Sequence, residues 1–223
     1  MTPEEIRSFP LFARLGATEA AAVAGRVATH RAQRGDFLFR QGEPAHHLVL
    51  LRSGQAKMES AAADGTVAIV EILGPGNVLA AANFLVQEPY PVTAVALDTV
   101  EYGTLAYSDF EAMVRAHPDI ALGLLGYLAR RLHRAYAVRR PSARSRVRLA
   151  DALARIAADT ATPAGQVPVV ALSHEDLAGV AGMARETVTR HLQRWQAQGV
   201  VELGTRSIRV VDLERLRRIA DEA

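Results

Sequence analysis

The stretch that decides the fold is Ser173-His174-Glu175-Asp176-Leu177-Ala178-Gly179-Val180-Ala181-Gly182-Met183-Ala184-Arg185-Glu186-Thr187-Val188-Thr189-Arg190-His191-Leu192-Gln193. Counted from His174, Ala178 is fifth, Gly182 ninth and Val188 fifteenth. Two short helices joined by a tight turn need these residue types at these places. A small side chain at the fifth lets the second helix come close. A residue without Cβ at the ninth permits the positive φ of the turn. An aliphatic residue at the fifteenth anchors the second helix, with Leu177, Met183 and Leu192 packed around it. Ser173 is placed to cap the first helix, and Asp176 three residues on complements it. The spacing predicts a helix-turn-helix. His191 departs from the pattern, because an aliphatic or small residue is usual there.

The second helix is expected to begin near Ala184. Arg185, Glu186, Thr187, Thr189 and Arg190 then fall in its first two turns. In a helix laid in the major groove, the N-terminal residues reach base edges. Arginine can bind guanine O6 and N7, and glutamate can accept from cytosine N4. The partner this chemistry points to is double-stranded DNA. Beyond the helix, Gly199-Val200-Val201-Glu202-Leu203 and Ile208-Arg209-Val210-Val211 flank Gly204-Thr205-Arg206-Ser207. Two β runs around a glycine-containing turn predict a hairpin, the wing, with Arg206 at its tip for a phosphate. Asp212 to Ala220 reads as a closing helix capped by Asp212. Arg outnumbers Asp and Glu 14 to 10 over residues 139–223, whereas residues 1–138 are net acidic. A basic C-terminal third suits a polyanion.

Upstream, residues 3–27 are expected to be helical. From Gly35 to Tyr107, short β-rich runs such as Leu48-Val49-Leu50-Leu51 and Val92-Thr93-Ala94-Val95 alternate with turn residues. That rhythm predicts a sandwich or barrel. A long helix is expected over 118–137. Ala121, Leu125, Leu128, Leu132 and Ala135 recur at steps of four and three, a coiled-coil seam for a second copy of the chain. Ile120, Leu124 and Tyr127 form a second stripe for the β domain. Pro141 marks a hinge over 139–142, with Ser142 able to cap the next helix, 143–158. The expected division is a sensor domain 1–117, a helix and hinge 118–140, and a DNA-binding domain 141–223.

No apolar stretch reaches the ~18 residues a membrane span needs, and the acidic start Met1-Thr2-Pro3-Glu4-Glu5 is no secretory signal. A cytoplasmic location without membrane association is expected. The chain has no cysteine, which excludes disulfides and a cysteine-ligated iron–sulfur cluster. Histidines 30, 46, 47, 117, 133, 174 and 191 show no metal-ligand spacing. No phosphate-gripping glycine loop or nucleophile–base motif points to an enzyme. The competing class is a ligand-binding regulatory protein that acts on a protein partner.

Three segments together resemble the catabolite activator/fumarate–nitrate regulator (CRP/FNR) family over nearly the whole chain. They are Gly35-Asp36-Phe37-Leu38-Phe39-Arg40-Gln41-Gly42-Glu43, the helix after His117-Pro118-Asp119-Ile120, and Arg185-Glu186-Thr187-Val188-Thr189-Arg190. The resemblance implies an α+β chain. Its N-terminal part is a cyclic-nucleotide-binding-like β-roll (jelly roll), followed by a long dimerisation helix and a C-terminal winged helix-turn-helix. It implies a homodimeric transcription regulator on an inverted repeat of TGTGA-like half-sites, with RNA polymerase as a further partner. Ser173, Arg185, Glu186, Thr187, Thr189, Arg190 and Arg206 are its implied DNA contacts.

The effector pocket departs from the family's cyclic-AMP binders. Ala80-Ala81 stand where Gly-Glu would bind the ribose, and Val92 stands where an arginine would pair with the cyclic phosphate. Of that second motif only Thr93 matches. Ala135 and Tyr136 replace two hydroxyls of the long helix, while Arg131 is retained. The pocket formed by Ala81, Val92, Thr93, Arg131 and Tyr136 suits an apolar ligand, or none, better than cyclic AMP. Pro89-Tyr90-Pro91-Val92-Thr93-Ala94 is similar to a branch that includes nitric-oxide-responsive haem regulators. Haem is accordingly the candidate cofactor, with His133 as its candidate ligand.

Overall fold

A computed structural model describes residues 1–62, 65–137, 145–160 and 166–221, without the side chains of residues 134–137. The single helix expected over 3–27 is two helices, α1 (Pro3–Ser8) and α2 (Ala17–Ala24). Pro10 is the reason. It disfavours helical backbone in the residue before it, and Phe9 is extended at φ −77°, ψ 130°. The freed segment turns inward and buries Phe9, Leu11 and Phe12.

The strands β1 (Ala28–Ala32), β2 (Phe37–Phe39), β3 (His47–Ser53), β4 (Ala56–Ala61), β5 (Val67–Leu73) and β6 (Val78–Leu79) follow. A short helix α3 (Ala81–Val86) precedes β7 (Thr93–Ala96) and β8 (Val100–Ala106). They pair antiparallel in two four-stranded sheets, ordered β1-β8-β3-β6 and β2-β7-β4-β5. Phe39, Leu51, Met58, Leu79, Ala94 and Val100 fill the space between the sheets. Leu48 and Leu50, on the other side of β3, join a second core with the N-terminal arm and the long helix. Burial on both faces explains why β3 reads as an unbroken apolar run rather than an alternating one.

A helix that sequence reading missed, α4 (Tyr107–Ala116), buries Phe110 and Met113. The long helix α5 runs Asp119–Ala137. Its stripe Ile120, Leu124 and Tyr127 is buried against the roll, as the spacing predicts. The opposite side carries Leu122, Leu125 and Leu132, which are 54%, 61% and 56% exposed. Leu128 instead leans on the roll's core, and Leu122 takes a place in the exposed stripe that sequence reading missed. The side chains of Ala135 and Tyr136 and the hinge over 139–142, Ser142 included, lie outside the described residues.

The C-terminal part comprises α6 (Ser145–Ala158), β9 (Val169–Val170), α7 (His174–Ala181), α8 (Arg185–Ala197), β10 (Val201–Gly204), β11 (Ser207–Val210) and α9 (Leu213–Asp221). Leu149, Leu153, Leu177, Val188, Leu192, Trp195, Ile208 and Leu216 form its core. The wing is three-stranded, because β9 pairs with β11. Two residues are too few to show a period, so β9 left no mark in the sequence. The Asp212 carboxylate accepts from the Arg215 N–H at 2.8 Å and caps α9.

Candidate nucleic-acid interface and effector pocket

The turn between α7 and α8 is built as the spacing requires. Gly182 has φ 61°, ψ 49°, a left-handed conformation that a side chain would strain. Val188 and Leu192 are fully buried and hold α8 on α7. At the start of α7, the Asp176 N–H donates to Ser173 Oγ at 3.1 Å. Asp176 Oδ2 in turn accepts from the Ser173 N–H at 3.1 Å and from its hydroxyl at 2.5 Å. Burial pushes the Asp176 carboxyl up, but these two bonds and Lys57 outweigh it and hold the pKa below its usual range.

The start of α7, the start of α8 and the wing enclose a cleft of about 310 Å³. Ser173, His174, Glu175, Arg185, Arg206 and Ser207 line it, so two guanidinium groups and one carboxylate face it. Three residues singled out in the sequence, Ser173, Arg185 and Arg206, are thus brought together from three elements. Arg206 reaches the wing tip with φ 53°, so the two-residue turn closes at a non-glycine position. Glu186 and Arg190, one turn apart on α8, are both exposed, and Thr187 is half-buried. Sequence reading missed His174 and Ser207. The His174 ring lies 2.9 Å from the Thr189 hydroxyl, Nδ1 to Oγ1, and ties α7 to the second turn of α8.

The departure at His191 has a structural account. Its Nε2 is 3.1 Å from the Ser145 hydroxyl, and its ring stacks on Trp195. Burial lowers the pKa of both His174 and His191. Arg185 adds to the effect on His174, and Arg190, Arg194 and Arg146 add to that on His191. Each ring therefore gains a proton more readily in the unfolded chain. This contribution to stability is whole above the ordinary value of 6.5 and falls as pH drops below it. Thermal melts between pH 7.5 and 5 should show a falling Tm that His174→Gln with His191→Gln flattens. An unchanged slope in the double variant would remove both rings from the account.

The residues expected at the effector site are only partly gathered. Ala81 is buried at the start of α3, in the core shared with the arm and α5. Val92 packs instead on the core between the sheets. Thr93 Oγ1 accepts from the Gln41 N–H at 3.0 Å. Arg131 is already engaged. It forms an ion pair with Glu71 of β5 and donates to the Tyr127 hydroxyl at 3.1 Å. Tyr127 Oη accepts from the Val78 N–H at 3.0 Å and donates to the Val78 carbonyl at 2.9 Å. Burial works against the Arg131 charge, but Glu71 and Tyr127 outweigh it and raise its pKa. Glu71 was not foreseen. Ala80, where the family's glycine would stand, has φ 50°. His133 is exposed on α5.

Residues 29–117 match the cyclic nucleotide-binding domain model, and residues 147–219 match the Crp-like helix-turn-helix domain model. The chain belongs to the CRP/FNR family of DNA-binding transcription regulators. It is 30% identical over 219 residues to the cyclic AMP receptor protein of Thermus thermophilus, across 96% of this chain and 98% of that one. It is 25% identical over 194 residues to the transcriptional activator protein anr of Pseudomonas aeruginosa, across 84% and 78%. The crystal structure of the Thermus thermophilus catabolite activator protein superimposes with a TM-score of 0.53 at 29% identity, covering 95% of this chain and 98% of that one. FixK2 from Bradyrhizobium japonicum shares the fold, with a TM-score of 0.73 at 21% identity over 88% and 98%. Among the described residues, no helix is long and apolar enough to cross a membrane.

Proposed function

We propose that two copies of this chain pair through α5 and read an inverted repeat, with roll 1–117, helix and hinge 118–140, and reading domain 141–223. The cleft carries this reading. Ser173, Arg185 and Arg206 converge there, beside the exposed Glu186 and Arg190. Arg185 and Arg206 outnumber the Glu175 carboxylate there and offer a backbone phosphate two guanidinium groups, while α8 presents its first two turns to the major groove. Arg185 and Arg190 each read a guanine and Glu186 a cytosine on the opposite strand. Thr187 and Thr189 support the same face. Of the seam read from the sequence, Ala121, Leu125, Leu132 and Ala135, with Leu122, supply the pairing contacts, while Leu128 packs on the roll. The protein works in the cytoplasm as a regulator without catalytic activity and engages RNA polymerase from the bound site. A mobility shift on an inverted TGTGA-like repeat, its half-sites ~34 Å apart, tests the reading. Shifts no stronger than on scrambled DNA would sink it and leave a regulatory protein acting on a protein partner.

The effector in this reading is not cyclic AMP, although relatives carry that ligand in their names. A cyclic phosphate beside Val92 would lose its arginine, which costs on the order of 3–5 kcal/mol for a buried unpaired charge. Arg131 cannot supply the loss while Glu71 holds it. Titration calorimetry should find no affinity for cyclic AMP in the micromolar range. A micromolar Kd would overturn the argument from Ala81 and Val92.

A further inference from the structure

The reading head is not merely tethered to the roll. The β4–β5 hairpin grips it. Gln55, just before β4, is 3% exposed. Both ends of its amide are spent on the C-terminal part. Its Nε2 donates to Thr160 Oγ1 at 2.7 Å, and its Oε1 accepts from the Ala171 N–H at 2.7 Å. Lys57 Nζ lies 2.5 Å from Glu59 and 3.5 Å from Asp176, the residue that completes the Ser173 capping box of α7. Apolar contacts run alongside. Ile72 of β5 and Leu97 are buried in the core built by Leu149 and Leu153, and the Ile69 side chain lies against Gly179 of α7. At Gly74, after β5, a Cβ would collide with the Asp159 carbonyl. The same β5 carries Glu71, which pairs with Arg131 of α5. One hairpin therefore holds the pairing helix on one side and the reading head on the other.

We infer that Gln55 and Lys57 are spacing-specificity residues, positioning residues that set the distance and rotation between the two reading heads of a dimer without touching DNA. The inference rests on the dimer reading above. A buried amide with both ends bonded fixes direction as well as contact, because either bond fails if the head rotates. The Asp176 carboxylate, bonded to Ser173, extends that constraint to the first turn of α7. DNA turns once in about 10–10.5 base pairs, so one added pair rotates a half-site by roughly 35°. A head held by this seam cannot follow such a rotation, whereas a released head can.

Gln55→Met with Lys57→Met keeps the volume and removes the polar bonds. Fluorescence anisotropy on inverted repeats, with the spacer shortened and lengthened by single base pairs, provides the readout. Wild type should prefer one spacing about tenfold or more over its neighbours, and the double variant should retain less than about threefold. Binding to the best site and the base preference within a half-site should both persist. Gln55→Glu keeps the acceptor for Ala171 and loses the donor to Thr160, so it should fall between the two. This single-site variant also serves as the test if the double variant fails to fold. Full spacing discrimination in the variants would overturn the inference and leave the dimer reading standing. A wild type that binds a lone half-site as tightly as any repeat would overturn both.

Discussion

Arg185→Ala and Arg190→Ala should each erase preference for one guanine of the half-site. Selection from a random duplex library is the measurement. A lost bidentate contact costs about 1–3 kcal/mol per half-site, and therefore about 2–6 kcal/mol for a dimer on two half-sites. At 1.4 kcal/mol per factor of ten, the smallest of these is a loss of about thirtyfold. Arg206 should behave differently. It sits at the wing tip, on the rim of the cleft, and in the proposed complex it is assigned a phosphate rather than a base edge. Because its φ is 53°, Arg206→Gly removes the charge without disturbing the turn. That variant should weaken all sequences alike and reduce the salt slope by about one unit per contact. An unchanged motif in both helix variants, or a changed motif in the wing variant alone, would put the reading head elsewhere.

Leu125→Glu with Leu132→Glu should convert the protein to a folded monomer that no longer holds an inverted repeat. Both side chains are more than half exposed, so a carboxylate in their place costs the isolated chain little. In a paired seam, the same carboxylates would be buried without partners. Loss of pairing removes the advantage of two linked half-sites, about 10²–10⁴-fold in affinity. Light scattering and the mobility shift read the two effects separately. Leu128→Glu is a poorer test. Leu128 packs on the roll's own core, and its loss would confound folding with pairing. A double variant that still scatters as a dimer would move the interface away from α5.

The reading head was legible because its constraints are local. Ala178, Gly182 and Val188 each answer to a neighbour within one turn or one helix crossing, and the chain must place the right residue type at each. The same holds for the Ser173–Asp176 cap and for the two apolar stripes of α5. The break between α1 and α2 is also written in the sequence, at Pro10, but the apolar spacing of the arm runs across it and masks it. Two elements were less visible. The residue before α4, Ala106, offers no side-chain cap, and β9 exists only because β11 lies beside it.

By itself, the sequence determined the kind of protein this is: a helix-turn-helix with a wing, a turn-punctuated β domain, and a helix with two apolar stripes. It also puts alanine at 81 and valine at 92, where the resemblance to the family's cyclic-AMP binders would expect the ribose and phosphate contacts. Only the tertiary structure decided what Arg131 meets and how the parts are held. Glu71 meets Arg131 across 60 positions, Gln55 meets Ala171 across 116, and Lys57 meets Asp176 across 119. No helical or strand period links residues so far apart. Their pairing depends on how the two domains pack, because a polar group buried between them must find its partner on the other side.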